Sequence, residues 1–239
     1  FQPSLVIVSG DLTQRASKVQ FKAAASYLKR IPFPLFIVPG NHDIPLYNVL
    51  RRFISPLRQY KKHISPDVGP LFNDGKIAVV GINTAKSLAI KNGRISKKQI
   101  SLLTESITTI EKSIFTIVVT HHPLITPHAK RMQKFVIRSN MALNALDESG
   151  VDLLLSGHKH KTYHGDIRDL RPTTKCSMIL AQAGTAISER RRNEPNAYNI
   201  IKVKKGTAQI IVRSCEDGTF KTVTEKTYRR VENKWVPTA

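Results

Sequence analysis

Over 239 residues, 38 Lys and Arg outnumber 17 Asp and Glu for a formal net charge of +21, while 41% of the chain is hydrophobic. This length and apolar fraction describe a globular chain that can bury a sizeable core, and they exclude disordered, collagen-like and disulfide-dense classes. No apolar run approaches the roughly 18 residues of a transmembrane helix, and no secretory leader opens the chain. A cytoplasmic protein without a membrane span is expected.

The basic excess is even, at +7 over residues 1–80, +6 over 81–160 and +8 over 161–239. Nucleic acid is therefore not expected as the main partner; a diffuse positive field attracts small anionic substrates instead. The one tight basic cluster, Glu189 to Arg192, reads as a solvated loop. Cys176 and Cys215 are far apart and form no CxxC, so two reduced thiols are expected and any metal would be held by nitrogen and oxygen.

In chain order, residues 5–8 are an apolar run ahead of Gly10-Asp11. Ser17 and Gln20 form a capping-box pattern that opens a helix with Phe21, Ala24, Ala25 and Leu28 on one face. Pro32 and Pro34 end it before a second apolar run, 35–38, which leads into Gly40-Asn41-His42-Asp43. These pieces predict one right-handed βαβ unit. Residues 44–75, with several prolines, predict short helices and loops; 76–82 is a strand ending at Asn83-Thr84, read as a turn. Ser96 and Gln99 predict a second capping box and a helix to about residue 111. Residues 114–119 form a strand ahead of His121-His122-Pro123, followed by a loop over 123–137. A helix over 139–149 is capped by Gly150. The run 151–155 leads into Gly157-His158-Lys159-His160. Short strands follow at 165–167, 178–182, 197–203 and 208–212, with a hairpin at Lys205-Gly206; a second sheet packed on the first would bury them.

Four apolar runs thus end at residues that bind metals. Such runs resemble fully buried parallel strands, and open α/β sheets bind ligands just past the carboxyl ends of those strands. Asp11 offers two carboxylate oxygens, Asn41 an amide oxygen, and His121, His158 and His160 imidazole nitrogens. A mixed N/O set suits Mn, Fe, Zn or Co. If 157–160 stays extended, His158 and His160 project to one side. His42 would lie beside the metals, with Asp43 hydrogen-bonded to its far nitrogen and favouring the protonated ring. His63, His128 and His164 carry no motif and read as structural.

Gly10-Asp11, Gly40-Asn41-His42-Asp43, Thr120-His121 and Gly157-His158-Lys159-His160 resemble, in order and spacing, the calcineurin-like metallophosphoesterase superfamily. Ala183-Gly184-Thr185-Ala186 with Glu194-Pro195-Asn196 is similar to its bacterial cyclic-nucleotide phosphodiesterase branch, which extends the resemblance over nearly the whole chain. The resemblance implies two packed mixed β-sheets flanked by helices, an α/β/β/α sandwich, as a single domain over 1–239. It implies two transition metals. Asp11 bridges them, Asn41, His121 and His158 complete one, and His160 binds the other. His42 is the acid and Asp43 its orienter, while His122 lies in the substrate pocket wall. The implied activity is hydrolysis of cyclic nucleotides or similar small phosphodiesters by a metal-bridging hydroxide, and the branch also implies a homo-oligomer. The family's Asp-x-His element has no counterpart ahead of Asp11, so the chain is read as N-terminally incomplete and lacking its first strand. The alternatives are a phosphomonoesterase, nuclease or pyrophosphohydrolase using the same centre, or a metal-poor scaffold on the same fold.

Overall fold

The computed structural model describes residues 2–89, 91–127, 136–175, 177–188, 194–232 and 234–238. Strand β1 (Val6–Val8), helix α1 (Lys18–Leu28) and strand β2 (Leu35–Ile37) form the expected unit, with β1 and β2 parallel and Val8 opposite Ile37. Ser17 caps α1 by accepting from Gln20 N–H, but Gln20 turns its own side chain to Arg15 N–H, so the box is half made. A 3₁₀ turn (Asn41–Asp43) follows, then α2 (Val49–Ile54) and α3 (Arg58–His63) in the segment read as short helices and loops.

Next come β3 (Leu71–Asn73), β4 (Ile77–Ile82), β5 (Gly93–Arg94) and α4 (Lys97–Thr108). Helix α4 begins in a complete Ser96/Gln99 capping box and buries Ile100, Leu103 and Ile107 along one face. It ends one turn earlier than expected. Strands β6 (Phe115–Thr120) and β7 (Val136–Ile137) precede α5 (Ser139–Ser149), closed by Gly150 at φ 70°. The chain then runs through β8 (Leu153–Ser156), β9 (Tyr163–Asp166), the single-turn α6 (Ile167–Leu170) and β10 (Ile179–Gln182). It finishes in β11 (Ala197–Lys204), β12 (Thr207–Glu216), β13 (Thr219–Val231) and β14 (Lys234–Pro237).

A six-stranded mixed sheet has the order β3-β4-β6-β8-β10-β9, and an antiparallel sheet the order β11-β12-β13-β14. The strands near 165 and 178 therefore extend the first sheet and not the second. Alternation along the strands builds two cores. Val79, Ile117, Val119, Leu153, Leu155, Ile179 and Ala181 face Ala208, Ile210, Tyr228 and Trp235 of the second sheet. Val80, Ile82, Val118, Leu154 and Leu180 point the other way, onto α4 and α5. A third cluster joins Phe21 of α1 to Leu57 and Tyr60 beside and on α3. The result is a mixed α/β fold with sheets packed face to face and helices outside. Strands β6 and β8 are buried throughout, as expected. By contrast, β1 and β2 are only partly buried, because among the described residues they pair with each other alone.

Cys215 is a free, half-buried thiol; Cys176 lies outside the described residues, as do His128, most of the 123–137 loop and the 189–192 cluster. No helix among the described residues is long and apolar enough to cross a membrane.

Candidate metal centre

Parallel register brings the motif residues to one rim. Ile82 pairs with Thr120, and Val119 with Leu155, so Asn83-Thr84, His121-His122 and Gly157-His158 leave adjacent strands at the same level. The Gly157 N–H donates to the His121 carbonyl at 3.0 Å. Ser9, just past β1, couples the small sheet to this rim, since its carbonyl lies 2.6 Å from His121 Nδ1. Gly10 is required where the two sheets meet. Its φ is +94°, and a Cβ would fall 2.6 Å from Gly40 N and 2.8 Å from His121 Nδ1.

Asp11, Asn41 and His121 converge. Because a carbonyl only accepts, His121 Nδ1–H donates to Ser9, which fixes the tautomer and leaves Nε2 with a lone pair in the neutral ring. That Nε2 lies 3.1 Å from Asn41 Oδ1 and 3.3 Å from Asp11 Oδ2. In the neutral ring the lone pairs of three atoms face one another, and either a proton on Nε2, donated to Asp11, or a metal cation among them relieves the repulsion. Burial opposes charge on His121. The Asp11 carboxylate and the bonds to Asp11 and Ser9 outweigh it and raise the imidazole above its ordinary value. Burial likewise opposes charge on Asp11, yet His121 and the His42 N–H hold its carboxyl well below the usual carboxylate range. An imidazole whose second nitrogen is held by a backbone carbonyl is the usual posture of a metal-bound histidine.

His121, His122 and His158 form a second grouping, their nearest ring nitrogens all within 4.8 Å of one another. His122 Nδ1 lies 2.8 Å from Thr84 Oγ1, which also accepts from the His122 N–H at 3.2 Å. Its Nε2 is buried without a hydrogen-bond partner. Burial, followed by the neighbouring His121 and His158 rings, pushes His122 far below its ordinary value, so the ring is neutral. A buried neutral imidazole with an unsatisfied nitrogen beside two more imidazoles is chemically suited to a metal ion. The donors present therefore fit transition metals.

Positive φ marks the same rim. Asp11 (60°), His158 (69°) and His160 (59°) all adopt the left-handed region, uncommon for non-glycine residues. The 157–160 segment is consequently not extended. The Lys159 N–H donates to the Gly157 carbonyl at 2.8 Å across His158, closing a three-residue turn of the strained γ form. Side-chain alternation thus gives way to two left-handed residues. His158 joins His121 and His122, whereas His160, half-buried two residues on, lies outside that trio.

His42 is held by its neighbours. Its N–H donates to Asp11 Oδ1 at 2.9 Å, and its ring Nδ1 donates to the Gln14 carbonyl at 3.0 Å. Asp43, expected on the His42 ring, instead accepts from Gly40 N–H (2.9 Å), Thr13 N–H (3.0 Å) and Leu12 N–H (3.3 Å). The reason is local: the 3₁₀ turn folds the Asp43 side chain back toward its own start, where the Asp11–Thr13 loop presents free N–H groups. Burial and the nearby Asp11 charge raise the Asp43 carboxyl to about 6. Its role in the geometry is to lock the Asp11 loop against the Asn41 turn.

Thr84, Ser9 and Gln14 were not foreseen as site residues. Thr84 had a signal, since residues 76–82 deliver it to the same rim; Ser9 and Gln14 act through carbonyls that any residue carries.

The calcineurin-like phosphoesterase family profile matches residues 1–162. A probable cyclic nucleotide phosphodiesterase of Vesicomyosocius okutanii is 26% identical over 66% of this chain and 62% of its own length. Another, from Synechococcus sp., is 23% identical over 67% of this chain and 59% of its own. The matched region thus spans about three fifths of these relatives. The crystal structure of a dimetal phosphatase from Danio rerio covers 92% of this chain and 83% of its own at 14% identity, with a TM-score of 0.63, a likeness of fold. With the profile spanning well over half of the residues and the ordered motifs gathered at one rim, the chain belongs to the calcineurin-like phosphoesterase family.

Proposed function

We propose that this chain is a metal-dependent phosphodiesterase acting on cyclic nucleotides or similar small phosphodiesters. The observation that carries the reading is the convergence of Asp11 Oδ2, Asn41 Oδ1 and His121 Nε2, with His121 Nδ1 tied to Ser9. Asp11, Asn41, His121 and His158 would hold one cation, and Asp11 and His160 would contribute to a second, with His122 in the pocket wall. When bound, such cations polarise phosphoryl oxygens and make a water acidic enough to act as nucleophile near neutral pH.

The protein's own groups do the rest. With Nδ1–H held by Gln14 and the backbone held by Asp11, His42 can present only Nε2 to a substrate. A proton held there stabilises the phosphoryl charge and passes to the leaving oxygen. Asp43 acts as a positioning residue, because it fastens the Gly40 turn to residues 12 and 13 and so fixes both His42 and Asp11. The names of the two curated relatives support cyclic nucleotides as substrates.

The test is Mn²⁺-dependent hydrolysis of bis(4-nitrophenyl) phosphate and 3′,5′-cyclic AMP, with an EDTA control and 4-nitrophenyl phosphate as the monoester. Chelator-sensitive turnover that favours diesters is expected. Preference for the monoester would refute the diesterase reading, and inertness toward all three would refute hydrolysis of small phosphodiesters and monoesters. His42→Ala should lower kcat about 10²–10⁴-fold while metal still binds; unchanged turnover would remove His42 from the mechanism.

A further inference from the structure

A cavity of about 210 Å³ lies between the Arg15–Ser17 segment and residues 45–59. Its walls include Arg15, Ala16, Pro45, Tyr47, Arg51 and Arg58. It adjoins the rim through the backbone from both sides. Arg15 follows Gln14, whose carbonyl holds the His42 ring, and Pro45 lies three residues after His42. The Thr13 hydroxyl donates to the His42 carbonyl at 2.9 Å, and the Ala16 N–H donates to that hydroxyl at 3.1 Å, which fastens the two walls together. Buried Arg52 ties Pro45 of the wall to residue 87, donating to the Pro45 carbonyl at 2.9 Å and the Ser87 carbonyl at 2.7 Å.

The chemistry of the walls is selective. From Ile44 to Pro66 the chain contains Arg51, Arg52, Arg58, Lys61 and Lys62 and no Asp or Glu. None of the ion pairs among the described residues engages Arg15, Arg51 or Arg58. Tyr47 is 73% exposed, and the Arg15 guanidinium stands 5.7 Å from its ring centroid. One face of the ring is thus backed by a cation and the rest is open. An exposed aromatic backed by arginine, next to further planar guanidinium groups, is a stacking platform for a heterocycle whose edge offers acceptors. The volume is below the roughly 300–1,000 Å³ of pockets that enclose whole drug-sized ligands, and suits one ring system whose remainder stays outside, toward the rim.

We propose that this cavity is a nucleobase subsite: a nucleotide's base stacks on Tyr47 among Arg15, Arg51 and Arg58 while its phosphate reaches His42 and the rim. The proposal rests on the phosphodiesterase reading for the phosphate's destination, but its own evidence is independent of the metal.

The test is equilibrium binding by calorimetry with the whole 239-residue chain in EDTA, comparing AMP with ribose 5-phosphate, which lacks the base. AMP should bind about tenfold more tightly than ribose 5-phosphate, as expected for one stacked base. Tyr47→Ala and the double variant Arg51→Ala/Arg58→Ala should each erase that preference, with circular dichroism unchanged. Equal affinity for the two ligands, no binding of either at millimolar concentration, or a preference surviving both variants would overturn it. Turnover of bis(4-nitrophenyl) phosphate separates the two readings. Turnover without an AMP preference leaves the diesterase standing and sinks the subsite, whereas an AMP preference without turnover on any phosphoester does the reverse.

Discussion

Replacing Gly10 by alanine probes the junction on which the whole centre depends. A Cβ there would lie 2.6 Å from Gly40 N and 2.8 Å from both Gly40 Cα and His121 Nδ1, closer than real Cβ contacts come. Two of these atoms are backbone, so the strain cannot be relieved by a rotamer change. The positive φ costs an L-residue about 1–2 kcal/mol, and forcing a methyl into packed atoms adds about 1–3 kcal/mol. A loss of about 2–5 kcal/mol follows. Gly75→Ala isolates the first contribution, because Gly75 has φ +82° with nothing within 4 Å of the added Cβ. Urea unfolding of both variants, with m unchanged, should give a midpoint shift well beyond that of Gly75→Ala for Gly10→Ala. Stabilisation by Mn²⁺ should also be lost in Gly10→Ala alone, since the methyl displaces His121 from the Ser9 carbonyl. If Gly10→Ala were as stable as Gly75→Ala and responded equally to Mn²⁺, the account of the sheet junction would be wrong.

Other tests reach different parts of the molecule. Mn²⁺ at about 100 times its dissociation constant should stabilise the protein by about 2.7 kcal/mol, reversibly with EDTA, and His121→Ala should abolish the effect; a thermal midpoint indifferent to Mn²⁺, Co²⁺ and Zn²⁺ would count against the centre. Thr84→Val removes the hydroxyl that serves both His122 Nδ1 and its N–H. It should cost about 2–4 kcal/mol through two buried groups left unpaired and lower kcat more than it raises KM, as urea titration and steady-state kinetics would reveal. Asp152, far from the rim, accepts from Thr116 N–H (2.8 Å), the Trp235 indole (3.1 Å) and Arg230 (3.1 Å). Asp152→Ala should lose about 2–5 kcal/mol with turnover per folded molecule unchanged. Burial raises the Asp152 carboxyl, opposed by these donors, so the folded state takes up its proton at higher pH than the unfolded chain does. Its contribution is therefore fully present below the unfolded value of about 4 and is lost as pH rises through the folded one. The stability difference between wild type and Asp152→Asn should fall with rising pH across that window; a difference that grew would reverse the sign.

Much of the fold is legible because its causes are local. Ser96 and Gln99 cap each other within one turn, Gly150 closes α5 at the predicted residue, and Gly206 turns the β11–β12 hairpin at φ 72°. Strand β13 was not foreseen. Its thirteen residues are mostly exposed and lack an apolar stripe, and it is extended because β12 pairs along its length. Assigning β9 and β10 to a second sheet fails for the same reason: β10 joins β8 in parallel register, a choice made by partners and not by the strand itself.

Residue type and order determined that Asp11, Asn41, His42, His121, His158 and His160 follow strand ends, since apolar runs, glycines and ligand-bearing side chains are written in the chain one after another. Tertiary structure decided how they meet. It set Asp43 on the Asp11 loop instead of the His42 ring, curled 157–160 into a left-handed turn, and brought Thr84 under His122. It also placed the Ser9 carbonyl on His121, 112 residues away in the chain. These contacts use backbone groups and long-range register, which carry no residue identity, so only the folded chain can specify them.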